Sequence, residues 1–196
     1  MRRCILKTTG AIAVTITLTT TPFAHSDNSK HIAIPEHIQV QTQNQKIDTP
    51  VTLAAKIGQQ HGVGDIMKRI LKQESNNGKA ELIGGTHLPI GKRYYGVMQM
   101  KVVAVREVMR RYPNFTKKYF SEEKSVPDEF VIAKLITNNE FSIEAATLYY
   151  TYMKKLAKRD TYLAVAAYNQ GPSAIFNGVN AAGHSYAQSV LKHSKS

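Results

Sequence analysis

The stretch "GDIMKRILKQESNNG" (residues 64–78) decides the fold, because an apolar helical stripe within it ends on a carboxylate. Positions spaced i, i+3, i+4 and i+7 share one face of a helix. In this stretch they are Met67, Ile70, Leu71 and Glu74. The following "NNG" predicts the end of the helix. Two interpretations stay open: Glu74 faces inward from the last turn, or it lies on a solvated edge, as most charged residues do.

Helix signals recur through the rest of the chain and predict an all-α domain over residues 48–196. Capping residues and Pro50 start a helix that Gly62 ends, just before the Glu74 helix. Further helices are expected from Gly96 or Val97 to Tyr112, and in "PDEFVIAKLI", "NNEFSIEAATLYYTYMKKLAKR" and "DTYLAVAAYN". Two short helices are expected near residues 172–178 and 184–193. Residues 76–95 and 113–127 are expected to form loops.

The first 26 residues have the layout of a secretory signal peptide. A basic start, "MRRCILK", precedes a short apolar run, "AIAVTITL", and the small residues of "TPFAHS". A retained N-terminal anchor is the alternative. Residues 27–47 are polar and are expected to form a flexible arm or a loosely docked segment. No other apolar stretch is long enough to span a membrane, so the mature chain is expected to have no transmembrane segment.

The net charge of +12 indicates affinity for polyanions. Residues 1–26 hold three of the 26 basic residues and none of the 14 acidic ones, which leaves +9 for the remainder. Cell-wall carboxylates, anionic lipid and DNA are all candidate partners, and simple solubility is the alternative. The positive charges are spread over many segments, so no nucleic-acid partner is expected. The single cysteine, Cys4, lies in the predicted signal, and scattered histidines predict no metal site or cofactor.

Three short motifs carry the functional signal: "QES" (73–75), "YGVMQM" (95–100) and "AAYNQGP" (166–172). Together they resemble the soluble lytic transglycosylase and goose-type lysozyme superfamily, in which "ES" is followed by "GLMQ" and much later by "AYNAGP". The terminal "SYAQSVL" is similar to the family's closing Tyr segment. The resemblance covers roughly residues 50–193. The loop "GGTHLPIGKRYY" is longer than the family's usual Gly-Ala-rich segment, which leaves the shape of the substrate groove open.

The resemblance implies a lysozyme-like helical domain whose groove is built around the end of the Glu-bearing helix. It also implies cleavage of the β-1,4 bond between N-acetylmuramic acid and N-acetylglucosamine in peptidoglycan, with Glu74 as the catalytic acid. An unperturbed Glu has a pKa of about 4.3, so donation near neutral pH requires burial that raises this pKa. The inward position of Glu74 would meet that requirement.

Other roles carry over by position. The implied substrate-binding residues are Ser75, Met98, Gln99, Tyr168, Asn169 and Tyr186. Ser75 has a helix-end cap as its alternative, Met98 a place in the core, and Asn169 a structural cap. Tyr168 is expected to bond Glu74 or the N-acetyl group, and Tyr186 resembles a family Tyr near the acid.

A second carboxylate would distinguish hydrolysis from lyase chemistry, because hydrolytic glycosidases usually use two. Lytic transglycosylases resemble a one-acid variant that leaves a 1,6-anhydro end and consumes no water. Asp65 lies on the opposite face of the Glu74 helix, whereas Glu81 in the long loop is a candidate second acid. Glu107, Glu140 and Glu144 read as ordinary helix-surface charges.

The leading hypothesis is therefore an exported, periplasmic or envelope peptidoglycan lytic transglycosylase. Its alternatives are a lysozyme-type hydrolase and a wall-binding accessory of a secretion or conjugation complex. A basic nucleic-acid or membrane-surface protein is a third class. Tyr94 and Tyr95 are candidates for a sugar-stacking rim, with a plain surface loop as the alternative.

Overall fold

The computed structural model describes residues 48–121 and 125–193 in full, and only the backbone of 4–6, 14–16 and 41–42. It divides the chain into two units, Met1–Ile47 and Asp48–Ser196. In the first unit, β1 (Cys4–Leu6), β2 (Val14–Ile16) and β3 (Gln41–Thr42) form an antiparallel sheet in the order β1-β2-β3. The predicted signal peptide and arm otherwise lie outside the described residues, so both stay predictions.

The second unit is helical, which confirms the all-α class for this part of the chain. Its helices are α1 (Pro50–Gln60), α2 (Gly64–Ser75), α3 (Val102–Arg111), α4 (Pro113–Phe120), α5 (Asp128–Thr137), α6 (Asn139–Leu156), α7 (Thr161–Gln170), α8 (Ser173–Asn177) and α9 (Ala181–Lys192). Strands β4 (Ile83–Gly84) and β5 (Tyr94–Tyr95), of two residues each, pair as an antiparallel hairpin. The segment that connects them contains a 3-10 turn at Ile90–Lys92. No helix in the described part of the chain is both long and apolar enough to cross a membrane.

Helix α6 is the centre of this unit. It begins where the Asn138 side chain accepts a hydrogen bond from the amide of Phe141, as its sequence predicts. Ten of its 18 residues are buried, and they include Phe141, Ile143, Tyr150 and Met153. A helix buried on nearly all sides lies in the core, and α1, α3, α5 and α7 pack around it.

The two helices before the long loop cross closely. A Cβ atom on Gly58 would lie 2.7 Å from the Cα of Gly64, so the α1–α2 crossing depends on two glycines. Asn76, in the left-handed conformation with φ 49°, ends α2 after Ser75. The ends of α1 and α2 agree with the sequence prediction, because turn-forming residues follow each helix directly.

Three predictions about the middle of the chain are wrong. Helix α3 begins at Val102, because Gly96 and Gln99 have φ values of 74° and 45° and form a turn. The backbones of Tyr95 and Met100 pair across this turn through two hydrogen bonds of 3.0 and 2.9 Å. Residues 113–127 contain α4, for which Pro113 supplies the first position. The loop 76–95 contains the β4–β5 hairpin.

Candidate active site

The apolar stripe of α2 faces the core, as the inward interpretation predicted. Met67, Ile70 and Leu71 are fully buried, and Glu74 is partly buried one turn further along. Because α2 ends directly afterwards, Glu74 lies in the last turn and its carboxyl reaches past the helix end. The stripe thus positions a carboxyl at the boundary between core and solvent.

The Glu74 carboxyl has one hydrogen-bond donor that the structure identifies. The hydroxyl of Tyr186 on α9 donates to its Oε1 at 2.5 Å. Burial raises the pKa of Glu74 to about 7, and the Tyr186 hydrogen bond opposes this shift by stabilising the ionised form. The carboxyl can therefore both donate and accept a proton near neutral pH, which is what general acid–base catalysis requires.

Helix α9 holds the end of α2 at a second point. The Ser189 hydroxyl donates to Oε1 of Gln73 at 2.5 Å, and the ring Nε2 of His193 lies 3.2 Å from the same oxygen. Gln73 precedes Glu74 in the sequence, so these contacts fix the backbone beside the acid. The carboxyl is thus oriented by an element more than 100 residues away.

Glu74 opens onto a cleft of about 450 Å³. Residues of α3, α6 and α7, the segment from β5 to α3 and the turn before α8 form its walls. Its lining comprises Glu74, Tyr94, Gln99, Met100, Lys101, Val103, Ala104, Glu107, Tyr149, Tyr168, Asn169, Gln170, Gly171 and Pro172. Of the predicted site residues, the structure therefore brings Gln99, Tyr168 and Asn169 together with Glu74.

Gln99 is held in place within this cleft. Its amide nitrogen donates to the carbonyls of Gly96 at 3.0 Å and Glu81 at 3.2 Å. A Cβ on Gly84 would lie 2.1 Å from its amide oxygen, so any larger residue there would displace the Gln99 side chain. The side chain that the "GVMQ" motif places in the cleft is thus locked against the β4–β5 hairpin.

Tyr168 lines the cleft, but its hydroxyl does not bond Glu74, which was one of its two predicted partners; the N-acetyl group of a substrate stays a prediction. The hydroxyl donates to the carbonyl of Met98 at 3.1 Å and lies 3.2 Å from the sulfur of Met100. The predicted tyrosine bond to the acid is made by Tyr186 instead. Burial, and then the nearby charge of Glu74, raise the pKa of Tyr168 well above its ordinary value.

Three predicted substrate-binding residues, Ser75, Met98 and Tyr186, lie outside the cleft lining. Met98 is fully buried, so its side chain is part of the core. Ser75 is also fully buried, and its hydroxyl donates to Leu71 and accepts the Gly78 amide at 2.9 Å. Ser75 therefore closes the end of α2, the alternative that the sequence left open. Tyr186 acts on Glu74, and Asn169 is exposed on the cleft wall.

Of the two tyrosines predicted as candidates for a sugar-stacking rim, one lines the cleft and the other is buried. Tyr94 lines the cleft, with the Lys101 ammonium 4.9 Å from its ring centre. Tyr95 is buried, and its hydroxyl donates to the carbonyl of Ile90 at 2.9 Å. Only Tyr94 is thus available to contact a ligand.

A second carboxylate shares the cleft with Glu74, and it is one that the sequence did not single out. Glu107 on α3 is not a plain helix-surface charge as predicted, because it lines the cleft and only 29% of its side chain is exposed. Hydrogen bonds from Arg110, with a further bond from Arg111, lower its pKa. Glu81, the predicted candidate, is exposed and contributes only its backbone carbonyl to Gln99.

Searches against protein-family models, curated proteins and solved structures find no match to this chain. In the part of the chain that the structure describes, no group of three or more His, Cys, Asp or Glu side chains is placed to hold a metal ion.

Proposed function

We propose that this chain is a peptidoglycan lytic transglycosylase with a lysozyme-like fold, and that Glu74 is its single acid and base. The observation that carries the proposal is the Glu74 carboxyl itself. It is partly buried, its pKa is raised to about 7, and Tyr186 binds it at the wall of a cleft. The motifs "ES", "GVMQ" and "AYNQGP" supply the substrate class through their resemblance to that family.

The proposed reaction uses one carboxyl twice, first as an acid and then as a base. Protonated Glu74 donates to the glycosidic oxygen, and the bond from that oxygen to the anomeric carbon of N-acetylmuramic acid breaks. Glu74 is then ionised, and the Tyr186 hydrogen bond stabilises that state. The carboxylate next takes the proton from the sugar's 6-hydroxyl, whose oxygen bonds the anomeric carbon. The product carries a 1,6-anhydro end, and the enzyme returns to its protonated form without consuming water.

Two opposing effects on the pKa of Glu74 support the use of one carboxyl as both acid and base. Burial favours the neutral acid before the first step, whereas Tyr186 favours the anion that exists between the steps. Their opposition leaves the pKa near neutral pH, where donation and acceptance have comparable driving force. Gln99, Asn169 and Tyr94 line the same cleft and are the proposed sugar contacts.

Export supports the same proposal. The basic, apolar and small-residue order of residues 1–26 is typical of a secretory signal, which would deliver the protein to the compartment that holds peptidoglycan. We extend the proposal to a periplasmic or envelope location. A secretion or conjugation complex that must cross the wall is the proposed type of partner.

Hydrolysis is the second candidate, and Glu107 is the observation that favours it. A glycosidase with two carboxylates needs one raised and one lowered pKa, and Glu74 and Glu107 have shifts in these directions. Against this role, Arg110 and Arg111 already occupy the Glu107 oxygens. The lyase therefore remains the preferred proposal.

Digestion of purified peptidoglycan in ¹⁸O-labelled water distinguishes the candidates. For the lyase, mass spectrometry will find unlabelled 1,6-anhydro products with wild type and with Glu107→Gln, and none with Glu74→Gln. Labelled reducing ends that depend on both carboxylates would replace the lyase with a hydrolase. Wall binding without products from any variant would leave the accessory alternative.

A further inference from the structure

A second cavity lies at the opposite end of α2 from Glu74. It has a volume of about 520 Å³ and shares no lining residue with the cleft. Glu74 and Gly64 are ten residues apart on one helix, which separates the two sites by about 15 Å along its axis. The turn before α2, the last turn of α6, the first residue of α7 and Leu191 of α9 enclose the cavity.

Three half-buried cations line this cavity: Lys68, Arg69 and Lys154. Lys68 is paired with Asp65 at 2.8 Å, but no ion pair is found for Arg69 or Lys154 among the described residues. Half-buried cations without a counter-ion are unfavourable, because they lose hydration and repel each other. Lys154 also lies in the last turn of α6, where the helix dipole favours a cation.

The start of α2 adds backbone donors to the same cavity. The first amides of a helix have no partner within it, and the residue before α2, Val63, has no side-chain acceptor to cap them. Gly62, with φ 66°, turns the chain so that Gly64 and Asp65 form part of the cavity wall. An uncapped helix N-terminus with positive partial charge attracts anions.

An independent observation points to a ligand here. Tyr150 lines the cavity and is fully buried, yet its hydroxyl has no hydrogen-bond partner in the structure's described residues. A buried hydroxyl without a partner costs free energy, so native structures rarely leave one. The nearby Asp160 carboxylate makes no hydrogen bond with this hydroxyl and instead accepts the amide of Leu163 at 2.9 Å as the cap of α7.

We propose that this cavity is a binding site for an oxyanion, either a carboxylate or a phosphate group. Arg69 and Lys154 supply its charge, the first amides of α2 supply directed donors, and the Tyr150 hydroxyl donates the buried hydrogen bond. The Asp65 carboxylate, with 83% of its side chain exposed, pairs with Lys68 and attracts Arg69 without forming an ion pair with it. The site is separate from the proposed catalysis and does not depend on it.

The test is a titration of the full chain with inorganic phosphate and, separately, with succinate. Ionic strength is held constant with chloride, and backbone amide chemical shifts are followed by NMR. The amides of Gly64, Asp65 and Ile66 will shift saturably. Arg69→Gln will weaken binding about tenfold, as the loss of one charge-assisted hydrogen bond predicts. Tyr150→Phe, which removes one oxygen from a fully buried position, will weaken it about threefold to tenfold.

Lys155→Gln is the matched control. It removes the same charge from the neighbouring residue of α6, which is exposed and outside the cavity lining, and it will leave the affinity unchanged. Tighter binding of phosphate will assign the site to a phosphate-bearing ligand, and tighter binding of succinate to a carboxylate. Shifts that do not saturate, or an equal loss of affinity in Lys155→Gln and Arg69→Gln, would overturn the proposal.

Discussion

The two ends of α2 differ in how they place ionisable groups near the protein core. At its C-terminal end, burial holds the Glu74 carboxyl near its neutral form, with a pKa of about 7. Near its N-terminal end, Arg69 and Lys154 line a cavity together with uncapped amides and Tyr150. The helix dipole contributes to both arrangements, because it disfavours an anion at the C-terminus and attracts one at the N-terminus.

The comparison shows how chemistry follows from position on one helix. A group whose proton must be transferred belongs where its charged form is disfavoured, whereas a group that must hold an anion belongs where its charge persists. The predictions below test each end separately, beginning with the largest expected effect.

Glu74→Gln removes the transferable proton and leaves the shape of the cleft. We expect peptidoglycan cleavage to fall by about 10³-fold or more, because general acid–base catalysis contributes on this order. Release of soluble muropeptides measures the rate. Asp65→Asn, on the other end of the same helix, is the control and will retain activity. Cleavage by the Gln variant within tenfold of wild type would remove Glu74 from the mechanism.

The same variant separates catalysis from stability. The pKa of Glu74 rises from 4.5 to about 7 on folding, so the folded state binds more protons than the unfolded state between these values. The free energy of unfolding therefore falls as pH rises from about 4.5 to 7, by at most about 3 kcal/mol. Glu74→Gln will lack this contribution and will be more stable than wild type at pH 8.

Urea unfolding of both proteins at pH 4.5 and pH 8 provides the measurement. The difference in stability between them will be larger at pH 8 than at pH 4.5. An unchanged difference would mean that folding does not shift the pKa of Glu74.

Tyr186→Phe tests the hydrogen bond to the acid. The hydroxyl stabilises the ionised carboxyl, so its loss will raise the pKa of Glu74 further and leave the side chain less fixed. We expect activity to fall about tenfold and the alkaline limb of its pH profile to move to higher pH. A loss of activity with an unmoved alkaline limb would indicate a structural role alone. Tyr162→Phe, which changes a hydroxyl that contacts His184 on the same helix, is the control.

Arg69→Gln produces the smallest effect and addresses the other end. Removing a cation near Lys154 relieves repulsion and loses only a weak attraction to the exposed Asp65, so we expect about 0.5 kcal/mol of stabilisation at low salt. In excess phosphate the sign will reverse, because only wild type gains the full binding energy. Urea unfolding with and without phosphate measures both values. Equal stability of the two proteins in both buffers would contradict the oxyanion site.

The sequence predicted most where its signals are local. The bounds of α2 and its apolar stripe follow from helical spacing and the "NNG" stop, and the predicted segments that begin at Asn138 and Asp160 form helices capped by these two residues. The start of α3 was wrong because the turn at Gly96 is fixed by a distant element. A Cβ there would lie 2.2 Å from the carbonyl of Leu135, a contact that no local pattern reveals.

The candidate site likewise has residues that local sequence signals predict and residues that depend on tertiary packing. Glu74 is identifiable because its carboxyl interrupts an apolar stripe, and the motifs place Gln99 and Asn169 beside it. The roles of Tyr168 and Tyr186 depend on which hydroxyl reaches the acid across the fold, which only the packing of α7 and α9 decides. Glu107 was overlooked because the cleft wall formed by α3 is created by tertiary structure, and helical charge spacing alone resembles a solvated face.

The contact between α9 and the end of α2 also sets an order of events during synthesis. Glu74 and Tyr186 are 112 positions apart, so a ribosome completes most of the chain before the acid can meet its partner. Until α9 docks, the Glu74 carboxyl lacks the Tyr186 hydrogen bond that stabilises its ionised form. A nascent chain, or one truncated before α9, therefore holds the proposed acid without its hydrogen-bond donor.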